Sequence, residues 1–342
     1  MKLFTSIAAV ALLFGLTTTS GMAAETVKVG TATTLNDVPI VIATEKGYFK
    51  DEGLDVQLIP MGSGAKEIAP LGRGEIDVGS GAMSAGFYNA LAQGIGFKIV
   101  ADKGHVENGY QFQTVFMRKD LVDSGAFKGL KDLKGKKIAI PAPGVSVLSA
   151  LNEAARAGGI SYDDINIAYL GFGAQIAAFK NKAIDGSLMI EPFATIIANQ
   201  GVGVRFMNTQ EFYPNQQIAL VFYSEIFTKQ RPDVAMKFMK GYLRGVRTYN
   251  AALKGDRLTG PGAGEVIALM AKHFKIDPKL AGDMHSQAMR PDGAVNVASL
   301  QKDLDFLHSR GLVQNMPDLG KVVDMSFAEK ASRELAAAGS PK

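Results

Sequence analysis

The feature that most limits the possible folds is an internal repeat. When the chain is slid by 109 positions, so that residue 28 meets residue 137, Lys28-Val29 falls on Lys137-Ile138, each opening a β-like run (KVGTATT and KIAIPAP). Asp55 falls on Asp164, opening DVQLIPMG and DINIAYLG, and Gly62, Gly64 and Ala65 fall on Gly171, Gly173 and Ala174. No gap is needed from Lys28 to Ala65, and a one-residue gap then brings Ile76-Asp77 onto Ile184-Asp185. Each copy reads as a short apolar run, a Pro-containing loop and a helical stretch (PIVIATEKGYF or SVLSALNEAARAGG), with glycines at 47 and 158–159 as helix ends. A second strand, a Gly-x-Gly turn, a helix and a third strand follow. Strand–helix–strand–helix–strand is the pattern of a parallel sheet with crossover helices. Two similar α/β lobes are therefore expected. Chance likeness between two ordinary α/β units is the competing account, and the long gapless match argues against it.

Helices are expected to dominate after Phe222. The stretch RPDVAMKFMKGYLRGVRTYNAAL opens on Pro232-Asp233 and spaces Val234, Phe238, Leu243, Val246 and Tyr249 at roughly helical intervals. NVASLQKDLDFLHSRGLV begins at a capping Asn296 and stops near Gly311.

At the other end, Lys2, the apolar run Ile7 to Leu16 and the small residues of GMAA have the layout of a secretory signal peptide, cleaved after about Ala24. The run is too short to span a bilayer as a helix, which takes ~20 residues. Removing residues 1–24 leaves 342 − 24 = 318 residues, with 36 basic against 33 acidic side chains. That mild excess, without a basic run, argues against nucleic acid as a partner. The absence of cysteine excludes disulfides, thiolate-bound zinc, thiol catalysis and a lipid-bearing cysteine.

In open parallel sheets, ligands sit beyond the carboxyl ends of the strands. Both Gly-x-Gly turns are expected there, where glycine allows close backbone approach and helix starts present unpaired N–H groups. The first-strand loops add TLNDVP and APGVSV, and the third-strand ends add GSGAMS and MIEP. Two such rims facing one another would make a cleft. The candidate ligand-binding residues are Leu35, Asn36, Asp37, Gly62, Ser63, Gly64, Ser80, Gly81, Ala82, Met83, Lys103, Gly144, Val145, Ser146, Phe172, Gly173 and Glu191. Each has a plainer reading. The Gly-x-Gly pairs are ordinary tight turns, Ser80 and Ser146 are N-caps, Lys103 points to solvent, and Glu191 joins a buried salt bridge.

The phrases GYFKDEGLDVQLIPMGSG, LGRGEIDVGSG and IEPF, with the late PDLGKVVDMSFAEKA, resemble solute-binding proteins of the nitrate/sulfonate/taurine class of ABC importers over nearly the whole chain after residue 24. The resemblance implies a type II periplasmic binding fold, two α/β lobes joined by two crossovers with the ligand cleft between them. The first lobe would comprise 26–116 plus 222–342 and the second 117–221. It also implies a periplasmic, monomeric protein without cofactor or metal, which closes on a small-molecule solute and hands it to an inner-membrane ABC permease with its ATPase. The expected solute is a small organic anion such as a sulfonate or an aromatic carboxylate. The alternative is a neutral heterocycle such as a thiamine-precursor pyrimidine. Relatives that bind pyrimidines often stack the ring on tryptophan, which this chain lacks. Phe87, Tyr88, Tyr110, Phe172, Phe193 and Tyr213 are the substitutes available. A cofactor-dependent enzyme is the weaker option. The third glycine of G-x-G-x-x-G is replaced by Glu67 and Ile176, GLKDLKGKK has the wrong spacing for a P-loop, and His105, His273, His285 and His308 are scattered.

Overall fold

The structure is a computed structural model that describes residues 24–32 and 34–339. Apart from Ala24, the expected signal peptide lies outside the described residues. Ten strands form two five-stranded sheets: β1 (Glu25–Thr31), β2 (Leu54–Pro60), β3 (Val78–Gly81), β4 (Phe97–His105), β5 (Gln113–Arg118), β6 (Lys137–Ile140), β7 (Asn166–Tyr169), β8 (Gly186–Ile190), β9 (Gly203–Asn208) and β10 (Gln217–Ser224). The sheet orders are β2-β1-β3-β10-β4 and β7-β6-β8-β5-β9.

The repeat holds to the residue. In the first sheet Lys28, Val29 and Gly30 pair with Gln57, Leu58 and Ile59; in the second Lys137, Ile138 and Ala139 pair with Asn166, Ile167 and Ala168. Every partner is displaced by the offset seen in the sequence. The repeated Ile-Asp has a structural job. The Asp77 carboxylate accepts the Lys28 N–H at 2.9 Å, and that of Asp185 accepts the Lys137 N–H at 2.8 Å. Each ties the start of its third strand to its first, at the middle of β1 and at the first residue of β6, giving that backbone donor a partner.

The fourth strand of each sheet is antiparallel and arrives across the molecule: β10 lies between β3 and β4, and β5 between β8 and β9. The chain changes sheets twice, through 106–112 and 209–216. Lobe breaks at 116/117 and 221/222 fall inside β5 and β10, so we place them in these two crossovers instead. The crossovers VENGYQF and TQEFYPNQ are polar and turn-rich, but so are other loops of the chain, so composition does not single them out as the places where the sheet changes.

Helices cover both faces of each sheet. Helix Pro232–Ala251 buries Phe238, Tyr242, Leu243 and Val246 on the first lobe, as its spacing predicts. A Cβ on Gly245 would lie 2.2 Å from the Pro39 carbonyl oxygen, so only glycine lets this helix cross Val38–Glu45 so closely. Burying each large side chain contributes ~1.5–3 kcal/mol. Helix Val297–Ser309 is capped by Asn296, which accepts the Ser299 N–H at 3.2 Å. Its Leu300, Leu304 and Leu307 enter the first lobe's core, while Phe306 and Leu312 pack against the cores of both lobes. Among the described residues, no helix is long and apolar enough to cross a membrane.

Candidate functional site

The carboxyl ends of β1, β2 and β3 carry residues 35–37, 62–64 and 80–83; those of β6, β7 and β8 carry 144–146, 171–173 and Glu191. The two rims meet. The Ala85 N–H donates to the Gly144 carbonyl at 2.8 Å, and Ser84 pairs with Val145 as an isolated antiparallel bridge. Gly144 has φ +72°, and a Cβ there would sit 3.0 Å from that of Ala85, so conformation and contact both call for glycine. Within the first rim, a Cβ on Gly81 would lie 3.1 Å from the Gly64 Cα, so these two expected loops pack backbone to backbone. Gly62, Ala82 and Gly173 are exposed, and Leu35, Ser63, Gly64, Val145 and Phe172 are half-buried. Asn36, Asp37, Ser80, Gly81, Met83, Lys103, Gly144, Ser146 and Glu191 are buried.

The charged candidates serve the scaffold. Lys103, expected as a solute's counter-charge, is fully buried and pairs with Asp37. Asp37 also accepts the Ser80 hydroxyl at 2.9 Å and the Thr34 N–H at 3.1 Å, so it ties three rim segments together. Beneath them lies Glu67, whose Oε2 accepts the Ser80 N–H at 2.6 Å while its Oε1 has no partner among the described residues. Burial pushes Glu67 up to about 8, against the pull of the Lys103 charge. Glu191 takes its plainer reading. Its carboxylate holds Arg205, the Thr195 hydroxyl at 2.9 Å, the Thr195 N–H at 3.1 Å and, from the first lobe, the His285 N–H at 3.2 Å.

Other expectations shift in detail. The Ser146 side chain makes no capping bond to helix Val147–Ala157, because its φ/ψ are already helical; Ser84 caps Ala85–Ala92 instead. The first Gly-x-Gly turn leads into a tight turn, Gly64–Glu67, before the helix Ile68–Arg73. Phe172 stacks on Phe193 with centroids 5.4 Å apart, placing it beside the Glu191 strand end. Phe87 and Tyr88 lie in the core. Among the described residues, no hydrogen bond joins 62–64 to 171–173.

Three contributors carried no motif. Arg205, on β9, neutralises Glu191. His105, at the first crossover, stands between Asp102 at 3.2 Å and Glu107 at 2.9 Å. Burial pulls this ring down, but the two carboxylates outweigh it and hold it above its ordinary value. The third is Met284 to Met289, which threads the junction between lobes: the His105 N–H donates to the Ala288 carbonyl at 3.1 Å, and Gln287 reaches Asn36. Six residues, MHSQAM, between Gly282 and Pro291 are too few for periodicity to read.

Two rims of backbone thus face each other, joined by two crossovers. The NMT1-like family profile matches residues 20–255, more than half of the chain. The chain belongs to the NMT1-like family. This NMT1-like chain is 27% identical over 237 residues to a binding protein of Brucella abortus, covering 69% of this chain and 67% of that one. Riboflavin-binding protein RibY of Chloroflexus aurantiacus is 29% identical over 216 residues, covering 61% and 57%. A 4-amino-5-hydroxymethyl-2-methylpyrimidine phosphate synthase of Saccharomyces cerevisiae is 31% identical over 101 residues, 30% of this chain and 27% of the enzyme. Among solved structures, the ligand-binding component of an ABC-type import system from Staphylococcus aureus aligns at TM-score 0.71 and 16% identity, covering 90% and 99%. The periplasmic aliphatic sulphonate binding protein SsuA of Escherichia coli aligns at 0.69 and 18%, covering 88% and 92%. The fold of this NMT1-like protein is thus the two-lobe fold of periplasmic binding proteins.

Proposed function

We propose that this chain is the extracytoplasmic solute-binding subunit of an ABC importer, a non-enzymatic receptor that captures a small organic anion by hinge closure and delivers it to a permease. The observation that carries this reading is the residue-for-residue repeat, which sets two equivalent rims of glycine-rich loops against each other across two crossovers. Family membership and the binding roles of the structural neighbours support it. Backbone N–H groups of the 62–64, 81–83, 144–146 and 171–173 loops are the anion's donors. Asp37, Ser80, Lys103 and Glu191 hold those loops in place. Closure is stabilised when a solute bridges the lobes, and a differential affinity of ~2–3 kcal/mol shifts the open–closed population ~30- to 150-fold. Export to the periplasm and a monomeric state belong to the same proposal.

One observation favours a second reading. Lys103 and Glu191 are neutralised by Asp37 and Arg205, and the half-buried Phe172–Phe193 stack offers an aromatic face. Those features suit an uncharged heteroaromatic ring. Calorimetric titration of the mature chain with sulfonates, benzoate, nitrate and aminopyrimidines separates the two. Tight binding of an anion supports the first, whereas binding of a neutral ring with no anion bound overturns it.

A further inference from the structure

The strongest unexplained group in the molecule is the side-chain amide of Gln287. It is 2% exposed, and its Nε2 has no hydrogen-bond partner among the described residues. Its surroundings are built for it. The Oε1 accepts from the Asn36 amide, and the backbone N–H donates to the Tyr249 hydroxyl at 3.3 Å. At Gly104, a Cβ would land 1.5 Å from the Gln287 Nε2, so any other residue there would displace the amide. Its φ of +146° also disfavours a side chain. Gln287 lines a pocket of about 10 Å³, room for one water-sized group, whose other walls include Leu35, Val38, Phe112, Tyr249 and Met284. Leu35 and Asn36 belong to the first rim, and the neighbouring His285 N–H is bound to Glu191 of the second lobe. The pocket therefore lies beside the junction where the lobes meet.

We propose that the Gln287 amide is a specificity-determining donor at the floor of the cleft. It receives one acceptor atom, a sulfonate, carboxylate or carbonyl oxygen or a ring nitrogen, of a solute whose adjoining carbon skeleton lies against Leu35 and Phe112. A buried N–H left unpaired is costly, so an acceptor that completes it is favoured over a hydrocarbon end of the same shape. The proposal rests on the solute-binding reading and names a part of that site which no rim glycine supplies. Its chemistry is indifferent to net charge, so it stands under either solute class.

The test uses the mature chain and whichever of benzenesulfonate, benzoate and 4-aminopyrimidine binds it most tightly. Gln287→Leu is expected to weaken that binding roughly 10- to 100-fold, the range of one lost buried hydrogen bond to a neutral or charged acceptor. Gln287→Glu keeps the acceptor for Asn36 but puts an oxygen where the donor was. With benzenesulfonate, ionised throughout, it should bind poorly at pH 8 and regain affinity toward pH 5 as the new carboxyl gains a proton to donate. A merely structural role would show no such recovery. Unchanged affinity in a folded Gln287→Leu, or weakened binding in Gln287→Glu that does not recover, overturns the donor role and leaves the receptor reading intact. Failure of the wild type to bind any of the three probes defeats the receptor reading, and this proposal with it.

Discussion

Removing the Lys103 ammonium distinguishes a scaffold ion pair from a solute contact. Lys103 and Asp37 are both 0% exposed, and Asp37 further holds Ser80 and Thr34. Breaking one side of a buried pair costs about 3–5 kcal/mol, because the survivor is left charged in a poor solvent. Lys103→Met strands Asp37 and also removes the charge that restrains Glu67. Asp37→Asn strands the ammonium, but Glu67 is close enough to ionise and answer it, so the loss should fall at the low end, about 3 kcal/mol. The double variant Asp37→Asn/Lys103→Met leaves no stranded charge, and its loss should be smaller than the sum of the singles by 1 kcal/mol or more. Urea unfolding of the mature chain reads these differences as shifts in the first lobe's midpoint. Calorimetry under folded conditions should find solute affinity lowered by less than about tenfold, the indirect effect of loosened rim loops rather than of a lost contact. If Lys103→Met unfolds where the wild type does yet loses binding by about 100-fold, Lys103 is the solute's counter-charge and the scaffold argument is wrong.

Further outcomes follow from the same geometry. Unfolded, Glu67 titrates near 4.5, and folded at about 8. Between those values the folded chain keeps a proton that the unfolded chain has released, so stability falls as pH rises through that window, by at most about 1.4 kcal/mol per pH unit. Glu67→Gln should remove that part of the slope, and urea midpoints at pH 5, 6.5 and 8 that run parallel for variant and wild type would contradict it. Asp185→Ala should cost about 1 kcal/mol by releasing the Lys137 N–H, its looser pair with Arg118 at 3.4 Å adding little; Asp77→Ala should cost more, since Asp77 is more buried and also accepts a hydrogen bond from Arg231. Equal losses by thermal melting would deny the extra role. Arg310→Ala breaks an exposed pair with Asp163 at 2.7 Å and should change solute affinity less than about threefold. Phe306→Ala removes an apolar contact shared by both lobes and should lower affinity at least about tenfold, with a larger radius by solution scattering. An unchanged radius would place Phe306 outside the closure.

What the sequence disclosed is what local chemistry repeats. The pairing of Lys28 with Gln57 and of Lys137 with Asn166 is set by apolar alternation and turn glycines, both visible in the chain. The helix ends at Gly47 (φ +75°) and Gly311 (φ +71°) were legible for the same reason. The antiparallel insertion of β5 and β10 was not, since a buried apolar run does not name its neighbours. The site was half legible. Rim loops could be placed by their position after strands, but the fate of each charge depended on partners far away in the chain, Asp37 for Lys103 and Arg205 for Glu191. Gln287 was invisible because its meaning lies in an absent Cβ at Gly104 and an amide at Asn36.

The position of β10 has a consequence for how the chain is assembled. Residues 113–208 contain every strand of the second sheet, so that half can finish folding as soon as it emerges from the ribosome or a translocation pore. The other half must wait with β4 detached from β3 until residues 217–224 arrive to fill the gap. A chain truncated between the two should yield one native lobe tethered to an unfinished one, vulnerable to proteases along the open edges of β3 and β4.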